Sequence, residues 1–225
     1  MAPSARVLQW RKETESADAP TAVEAWYFLA TAYHYGKEGL AQNKKLAVKM
    51  FLKAAEGGDM KAQFVIASCV QWGDGVEHDE NSAFTWMAKS AAQGYVPAYG
   101  ALGGYYYSGT GVEPNFALAM MWWEKGADLN EKWSLLSLGT AYMNGTCGCP
   151  KNTFIAKIYM KGAAKQGNAE AIELLKVIRA CAACGVHNAG STGRVCRGCR
   201  RVNYCSRACQ LRHWKTHKPN CGDPE

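Results

Sequence analysis

A dense set of cysteines near the end of the chain is the feature that most clearly suggests chemistry. Seven of the ten cysteines lie between residues 181 and 221. With one histidine they form four closely spaced pairs: Cys181 and Cys184, Cys196 and Cys199, Cys205 and Cys209, and His217 and Cys221. Thiolate and imidazole are the donors that Zn²⁺ prefers in closed structural sites of four protein ligands. The sequence therefore predicts two structural zinc ions.

The spacing within each pair suits a shared metal ion. Two intervening residues allow a tight turn that aims both sulfurs at one ion, and three place both ligands on one face of a helix. Residues 206–217 are accordingly predicted to form a short helix. Spacing alone leaves open how the four pairs combine into two sites. His213 also competes with His217, because it lies four residues after Cys209.

The phrase YCSRACQLRHWKTHKPNC, residues 204–221, resembles the MYND zinc finger. The resemblance covers Cys181–Cys221 and implies a cross-brace of two interleaved zinc sites. One ion would be bound by Cys181, Cys184, Cys205 and Cys209, and the other by Cys196, Cys199, His217 and Cys221. The resemblance also implies a peptide-binding role for Gln210 and Trp214, since several fingers of this type bind proline-containing peptides. The alternative for Trp214 is that it packs inside the finger and does not contact a peptide.

Charge separates this segment from the rest of the chain. Residues 176–222 contain ten lysines or arginines and no acidic residue, which leaves sixteen basic and nineteen acidic residues elsewhere. So basic a finger favours an acidic protein or peptide partner. Attraction to nucleic-acid phosphates is the alternative, and it would make this protein a transcriptional regulator.

The elements before the finger repeat with a period of 36 residues. Lys53, Lys89, Lys125 and Lys161 keep this spacing, as do Gly73, Gly109 and Gly145. Each unit is predicted to contain two helices. The helix with the lysine carries apolar residues at helical spacing, which favours core positions for Phe51, Trp86, Trp122 and Trp123. Tyrosines near the loops, among them Tyr35, Tyr105 and Tyr107, are candidates either for a groove or for packing.

Residues that start and stop helices recur at the same step. Asn43, Asp79 and Asn115 stand where an N-cap is favoured, and Asn152 takes this place after Lys151 interrupts the series. Gly58, Gly94 and Asn130 stand where the helix ends. Gly103 and Gly139 indicate helices that pass too closely for a larger side chain.

These units resemble the Sel-one-like repeat, with its helix pair and GxGV loop. The loops at residues 73–76 and 109–112 match, whereas Cys147 replaces the second glycine of the fourth loop. Four units are predicted over residues 21–168, more than the three or so that a continuous core requires. The predicted fold class is all-α, an α-solenoid of about four helix-pair repeats followed by a small cross-brace zinc-binding domain. The resemblance implies an adaptor that binds proteins or peptides.

The domain limits follow from these assignments. Residues 1–20 are expected to be partly disordered, although VLQWRKE suits a helix that caps the first repeat. The repeats occupy residues 21–168, a capping or connecting helix residues 169–180, the finger residues 181–221 and a tail residues 222–225.

Composition and sequence patterns argue against several functional classes. The longest apolar run, Phe116–Trp123, is much shorter than the roughly 20 residues of a membrane span. The first residues lack the apolar segment of a signal peptide, so a reducing cytoplasmic or nuclear location is expected. Closed zinc sites and the lack of a nucleophile–base pair predict a protein that is not an enzyme and has no small-molecule substrate. Cys147 and Cys149 are either a redox or metal-binding pair or two ordinary thiols.

Overall fold

The computed structural model describes residues 2–15, 19–178, 194–195 and 203–204. In this part of the chain there are ten α-helices and two short strands. The helices are α1 (Ala5–Glu13), α2 (Ala19–Tyr35), α3 (Lys44–Glu56), α4 (Met60–Trp72), α5 (Glu80–Ala92), α6 (Val96–Ser108), α7 (Phe116–Asp128), α8 (Lys132–Asn144), α9 (Thr153–Lys165) and α10 (Ala169–Ile178). The strands are β1 (Arg194–Val195) and β2 (Asn203–Tyr204). The predicted all-α fold of helix pairs is confirmed.

The chain divides into two compact units, Met1–Ala119 and Met120–Glu225, and the division falls inside α7. In the first unit, α2 packs on α3, α3 on α4, α4 on α5, and α5 on α6. Large apolar side chains fill the interior, and those exposed by 2% or less include Leu29, Phe51, Ile66, Met87 and Leu102. Because each helix pair buries its apolar face on the next, stability depends on neighbouring repeats.

Helix α1 packs against α2 and begins the first unit. The Ser4 hydroxyl accepts a hydrogen bond from the Val7 amide at 3.3 Å, which caps the helix. Val7 is fully buried beside Leu29, and the Trp10 ring stacks on Phe28 with centroids 5.4 Å apart. The segment VLQWRKE thus forms the helix that its sequence suits.

The second unit contains a separate core beneath α8, α9 and α10. Met160 is fully buried there. A Cβ atom added to Gly139 would lie 2.7 Å from Met160 Cγ and 3.3 Å from the Ala156 carbonyl oxygen. The prediction that helices approach too closely at Gly139 is therefore confirmed.

Side chains at one repeat position cap α3, α5 and α7, and a side chain one residue after that position caps α9. The Asn43, Asp79 and Asn115 side chains accept hydrogen bonds from backbone amides three residues later, at 3.0 to 3.1 Å. Asn152 accepts from the Phe154 and Ile155 amides at 3.1 and 3.2 Å. The predicted caps are confirmed, including the replacement by Asn152.

Glycines with a left-handed backbone end α4, α6 and α8, the helices that do not carry the repeated lysine. Gly73, Gly109 and Gly145 have φ angles of 66°, 77° and 73°. Two residues later in each loop the backbone is left-handed again, and in the last of these loops the residue is Cys147, with φ 58°. A side chain in this region costs roughly 1–2 kcal/mol, so Cys147 is strained where the other loops have glycine.

Replacing Cys147 by glycine is expected to stabilise the protein by about 0.5–1 kcal/mol, because relief of the left-handed strain exceeds the added chain entropy. Cys147→Ala is the matched control, since it removes the same thiol and keeps the Cβ atom. Urea unfolding of the two variants measures the difference. Equal stability of the alanine and glycine variants would contradict the assigned strain.

Candidate protein-binding surface and zinc-binding segment

The predicted metal ligands and the predicted peptide-binding pair all lie outside the described residues. The ligands are Cys181, Cys184, Cys196, Cys199, Cys205, Cys209, His217 and Cys221, and the pair is Gln210 and Trp214. Their assignment stays a prediction from spacing and resemblance.

Two strands within the cysteine-rich segment are described. β1 and β2 pair antiparallel, with Arg194 opposite Tyr204 and Val195 opposite Asn203. The chain therefore leaves β1 at one end of this short ladder and leaves β2 at the other end. Cys196 directly follows β1, and Cys205 directly follows β2. These two cysteines belong to a set of seven thiols and one imidazole within residues 181–221, and such a donor set fits Zn²⁺.

Elsewhere in the described chain, no cluster of three or more histidine, cysteine or acidic side chains is arranged to hold a metal ion. Cys147 and Cys149 are half-buried free thiols, and the Cys149 thiol donates to the Thr146 carbonyl oxygen at 2.8 Å. Burial is the main cause that raises the pKa of both thiols. Raised pKa values disfavour the thiolate that metal binding and disulfide exchange require.

Cys69 is expected to resist alkylation at pH 8 in the folded protein. It is 4% exposed, and burial, assisted by the Asp74 carboxylate, raises the pKa of its thiol to about 11. Iodoacetamide should label Cys147 and Cys149 faster, since both are only half-buried. Peptide mapping by mass spectrometry measures the order. If Cys69 is labelled as fast as Cys149, the assigned burial of Cys69 is wrong.

Three of the four repeated lysines lie over tryptophan rings. Lys53 Nζ is 4.2 Å from the Trp26 ring centroid, and Lys89 Nζ is 4.2 Å from that of Trp86. In the second unit Lys125 Nζ is 4.9 Å from the Trp122 centroid. Cation–π contact and packing of the lysine stem stabilise these three lysines on the ring faces. The period of the lysine is visible in the sequence, whereas its contact with a tryptophan ring is not, because the two residues are brought together by folding.

Aromatic and apolar side chains remain exposed on the repeats. Trp72 is 77% exposed and Tyr35 is 60% exposed, and each directly precedes a left-handed glycine that ends its helix. Tyr105, by contrast, is buried, and its hydroxyl donates to Gln71 Oε1 at 2.7 Å. Burial raises the pKa of Tyr105 to about 12. The tyrosines near the loops thus divide into packing residues and candidates for partner contact.

Comparison with family models identifies the repeats. The Sel1 repeat model matches residues 23–59, 61–95, 96–131 and 134–168. The chain belongs to the Sel1-repeat family. The matches pair α2 with α3, α4 with α5, α6 with α7 and α8 with α9. The MYND finger model matches residues 181–221, which implies zinc binding by this segment.

Solved structures support the solenoid fold of the Sel1 repeats. A Sel1 repeat protein from Oxalobacter formigenes is 26% identical with a TM-score of 0.67, and the alignment covers 78% of this chain and 75% of that one. A protective antigen of uropathogenic Escherichia coli that displays an SLR fold is 28% identical with a TM-score of 0.68. This alignment covers 77% of the chain but only 36% of the antigen. Comparison with curated protein sequences gave no match.

Sel1 repeats together with a MYND finger support a protein-interaction adaptor role. Repeats of this type present surfaces to other proteins. Across the described ranges, no helix combines the length and the apolar character needed to cross a bilayer. The two kinds of module indicate protein partners.

Proposed function

We propose that this chain is a non-catalytic adaptor in which the Sel1 repeats bind one protein and the MYND finger binds another. The observation that carries the proposal is that two kinds of interaction module occur on one chain. Exposed aromatic side chains such as Trp72 and Tyr35 support partner binding by the repeats. Tryptophan and tyrosine are enriched at protein interfaces because they combine large apolar area with a hydrogen-bonding group.

We further propose that the finger holds two structural zinc ions in interleaved sites. Cys181, Cys184, Cys205 and Cys209 would bind one ion, and Cys196, Cys199, His217 and Cys221 the other. The antiparallel strands support this assignment, because Cys196 and Cys205 follow strands that end at opposite ends of the ladder. Four protein ligands per ion leave no open position for substrate, which supports a structural metal and a non-catalytic role.

The finger is proposed to bind a proline-containing peptide through Gln210 and Trp214. An extended proline-rich segment exposes its carbonyl groups and docks on aromatic rings at low entropic cost. The excess of basic residues from 176 to 222 favours acidic residues beside the prolines. Reduced thiols are required for the ligand set, which supports a cytoplasmic or nuclear location.

Titration of the zinc-loaded full chain with a proline-containing peptide that has an acidic flank tests this proposal. Trp214→Ala is expected to abolish binding, while Trp72→Ala, which removes an exposed tryptophan from α4, is expected to leave it unchanged. Isothermal titration calorimetry measures both variants. Unchanged binding by Trp214→Ala, or no binding by the intact protein, would overturn the peptide-binding role of the finger.

A second candidate function, nucleic-acid binding, is favoured by the absence of acidic residues from 176 to 222. Contacts to phosphates make affinity fall steeply as salt rises, with a slope set by the number of charges neutralised. A duplex DNA titration at several salt concentrations tests this function. Tight binding with preference for one DNA sequence would replace the adaptor proposal, whereas weak binding that disappears at physiological salt would support the adaptor.

A further inference from the structure

A cavity of about 480 Å³ opens in the first repeat, between the start of α2 and the turn that joins α3 to α4. Its walls include Val23, Glu24, Tyr27, Phe28, Asp59 and Lys61. Phe28 is 36% exposed although its ring also stacks on Trp10. An exposed phenyl ring in a cavity large enough for a side chain offers apolar surface that a ligand could cover.

The next repeat shows what occupies the corresponding position. Asp59 and Tyr95 are 36 residues apart, and they are the N-cap residues of α4 and α6. Phe28 and Phe64 have the same separation on α2 and α4. In the second repeat the Tyr95 ring meets Phe64 edge-on, with centroids 5.4 Å apart and planes inclined by 64°. The repeat framework thus accommodates a tyrosine ring against this phenylalanine.

The two turns differ in what the N-cap side chain does. Asp59 Oδ1 accepts a hydrogen bond from the Ala62 amide at 2.6 Å and caps α4. Tyr95 makes no side-chain cap bond and packs on Phe64 instead. Burial raises the pKa of the Tyr95 phenol, in agreement with a packed ring. In the first repeat the short Asp59 side chain leaves Phe28 without such a covering ring from the turn.

We propose that this cavity binds a tyrosine side chain of a partner protein, which packs on Phe28 as Tyr95 packs on Phe64. The inference rests on the proposed adaptor function and names the chemistry that the first repeat recognises. Edge-to-face packing of two rings adds to the apolar area that binding removes from water. Asp59 and Lys61 at the rim offer an acceptor and a donor to the phenol hydroxyl.

Charge at the rim favours basic residues beside that tyrosine. The cavity wall carries two carboxylates, Glu24 and Asp59, but only one ammonium group, that of Lys61. Lys61 Nζ lies 6.0 Å from the Tyr27 ring centroid. Among the residues that the structure describes, neither carboxylate takes part in an ion pair. The partner segment is therefore a tyrosine flanked by lysine or arginine.

The test uses the zinc-loaded full chain and the peptide acetyl-Gly-Lys-Gly-Tyr-Gly-Lys-Gly-amide. Backbone amide NMR signals of Gly57 and Gly58, which also line the cavity, are expected to shift during titration with a Kd on the order of 1 mM. The same peptide with alanine in place of tyrosine should leave these signals unchanged. Glutamate in place of both lysines should weaken binding several-fold. Equal shifts with the tyrosine and alanine peptides would overturn the proposal.

Two variants at one position separate occupancy of the cavity from loss of the cap. Asp59→Tyr introduces the side chain found at Tyr95 and is expected to fill the cavity. The affinity for the tyrosine peptide should then fall by at least about tenfold. Asp59→Ala removes the same cap and charge but leaves the cavity open, so the lost carboxylate should weaken binding by only about threefold, much less than Asp59→Tyr does. Equal affinity of the two variants for the peptide would overturn the site.

The finger is measured in the same samples, so that the two proposals can fail separately. Absence of tyrosine-peptide binding in a protein that still binds the finger's proline-containing peptide would overturn the cavity alone. If Asp59→Tyr loses the tyrosine peptide and Trp214→Ala keeps it, the result would support the tyrosine-binding role of the cavity, whatever the finger binds.

Discussion

Removal of zinc from the full chain is expected to unfold residues 181–221 and to leave the helices of the repeats folded. A segment of about 40 residues with few large aliphatic side chains cannot bury a sufficient core without a metal or a disulfide. Structural zinc supplies roughly 10–16 kcal/mol of binding free energy that is coupled to folding. The repeats have cores of their own, with Phe51, Met87 and Met160 buried.

Two measurements after addition of a strong chelator follow the two parts separately: circular dichroism reports on the helices of the repeats, and thiol titration reports on the finger. Most of the helix signal should remain, because α1–α10 precede the finger in the chain. Seven further thiols should become reactive as the ligand cysteines are released, while Cys69 stays protected by burial. Release of about two zinc ions per chain completes the expected result. Loss of most of the helix signal together with the zinc would contradict two independently folded parts.

The helical repeats could be predicted from sequence because their signals are local and recur. An N-cap acts on amides two or three residues away, so its side chain can be recognised without knowledge of the tertiary structure. Asn152 was recognisable in this way although it stands one residue after the position that the period assigns. Gly139 was recognisable because the adjacent repeats align it with other small residues, and Met160 now explains why it must be small.

Burial of the tryptophans was predicted less well, because periodicity identifies a helix face and not the neighbour that covers it. Phe51 and Trp123 are buried as expected, at 2% and 4% exposure. Trp86 and Trp122 are only half-buried and share their exposed side with lysines. A lysine one turn further along the helix covers part of the ring, and this contact keeps a tryptophan at the edge of the core.

The cavity in the first repeat could not be predicted from one repeat alone. Its recognition depends on the packing of Tyr95 on Phe64 in the next repeat, where the first repeat has Asp59 and Phe28, and on the stacking of Trp10 of α1 on Phe28. Each is a tertiary contact between side chains distant in sequence. The zinc ligands are the opposite case, because short spacings of cysteines carry their meaning within a few residues.

Gly111→Ala is expected to destabilise the protein by about 2–5 kcal/mol, the largest effect of any single substitution considered. Gly111 has a φ of 65°, and a Cβ atom there would lie 2.0 Å from the Glu80 carbonyl oxygen and 2.5 Å from its carbon. Left-handed strain costs roughly 1–2 kcal/mol and overpacking a further 1–3 kcal/mol. Backbone atoms cannot rotate away, so the loop itself must move.

The preceding loop shows that this close approach belongs to the repeat. Gly75 has a φ of 80°, and an added Cβ atom would lie 2.9 Å from the Lys44 carbonyl carbon. Asp74 in the same loop pairs with Lys44, with Oδ1 2.8 Å from Nζ. Each GxG loop thus rests on the first turn of a helix in the repeat before it, and glycine is required for contact as well as for conformation.

Two further alanine substitutions separate the conformational cost from the steric cost. Gly58 has a φ of 95° with no atom within 4 Å of an added Cβ, so alanine should lower stability by only about 1 kcal/mol. Gly104 lies inside α6 with the same open space and no left-handed backbone, so alanine should raise stability by about 0.5–1 kcal/mol. Urea unfolding of the three variants measures this order. If Gly111→Ala proves no worse than Gly58→Ala, the loop does not rest on α5, and contact between successive repeats must depend on the buried helix faces alone.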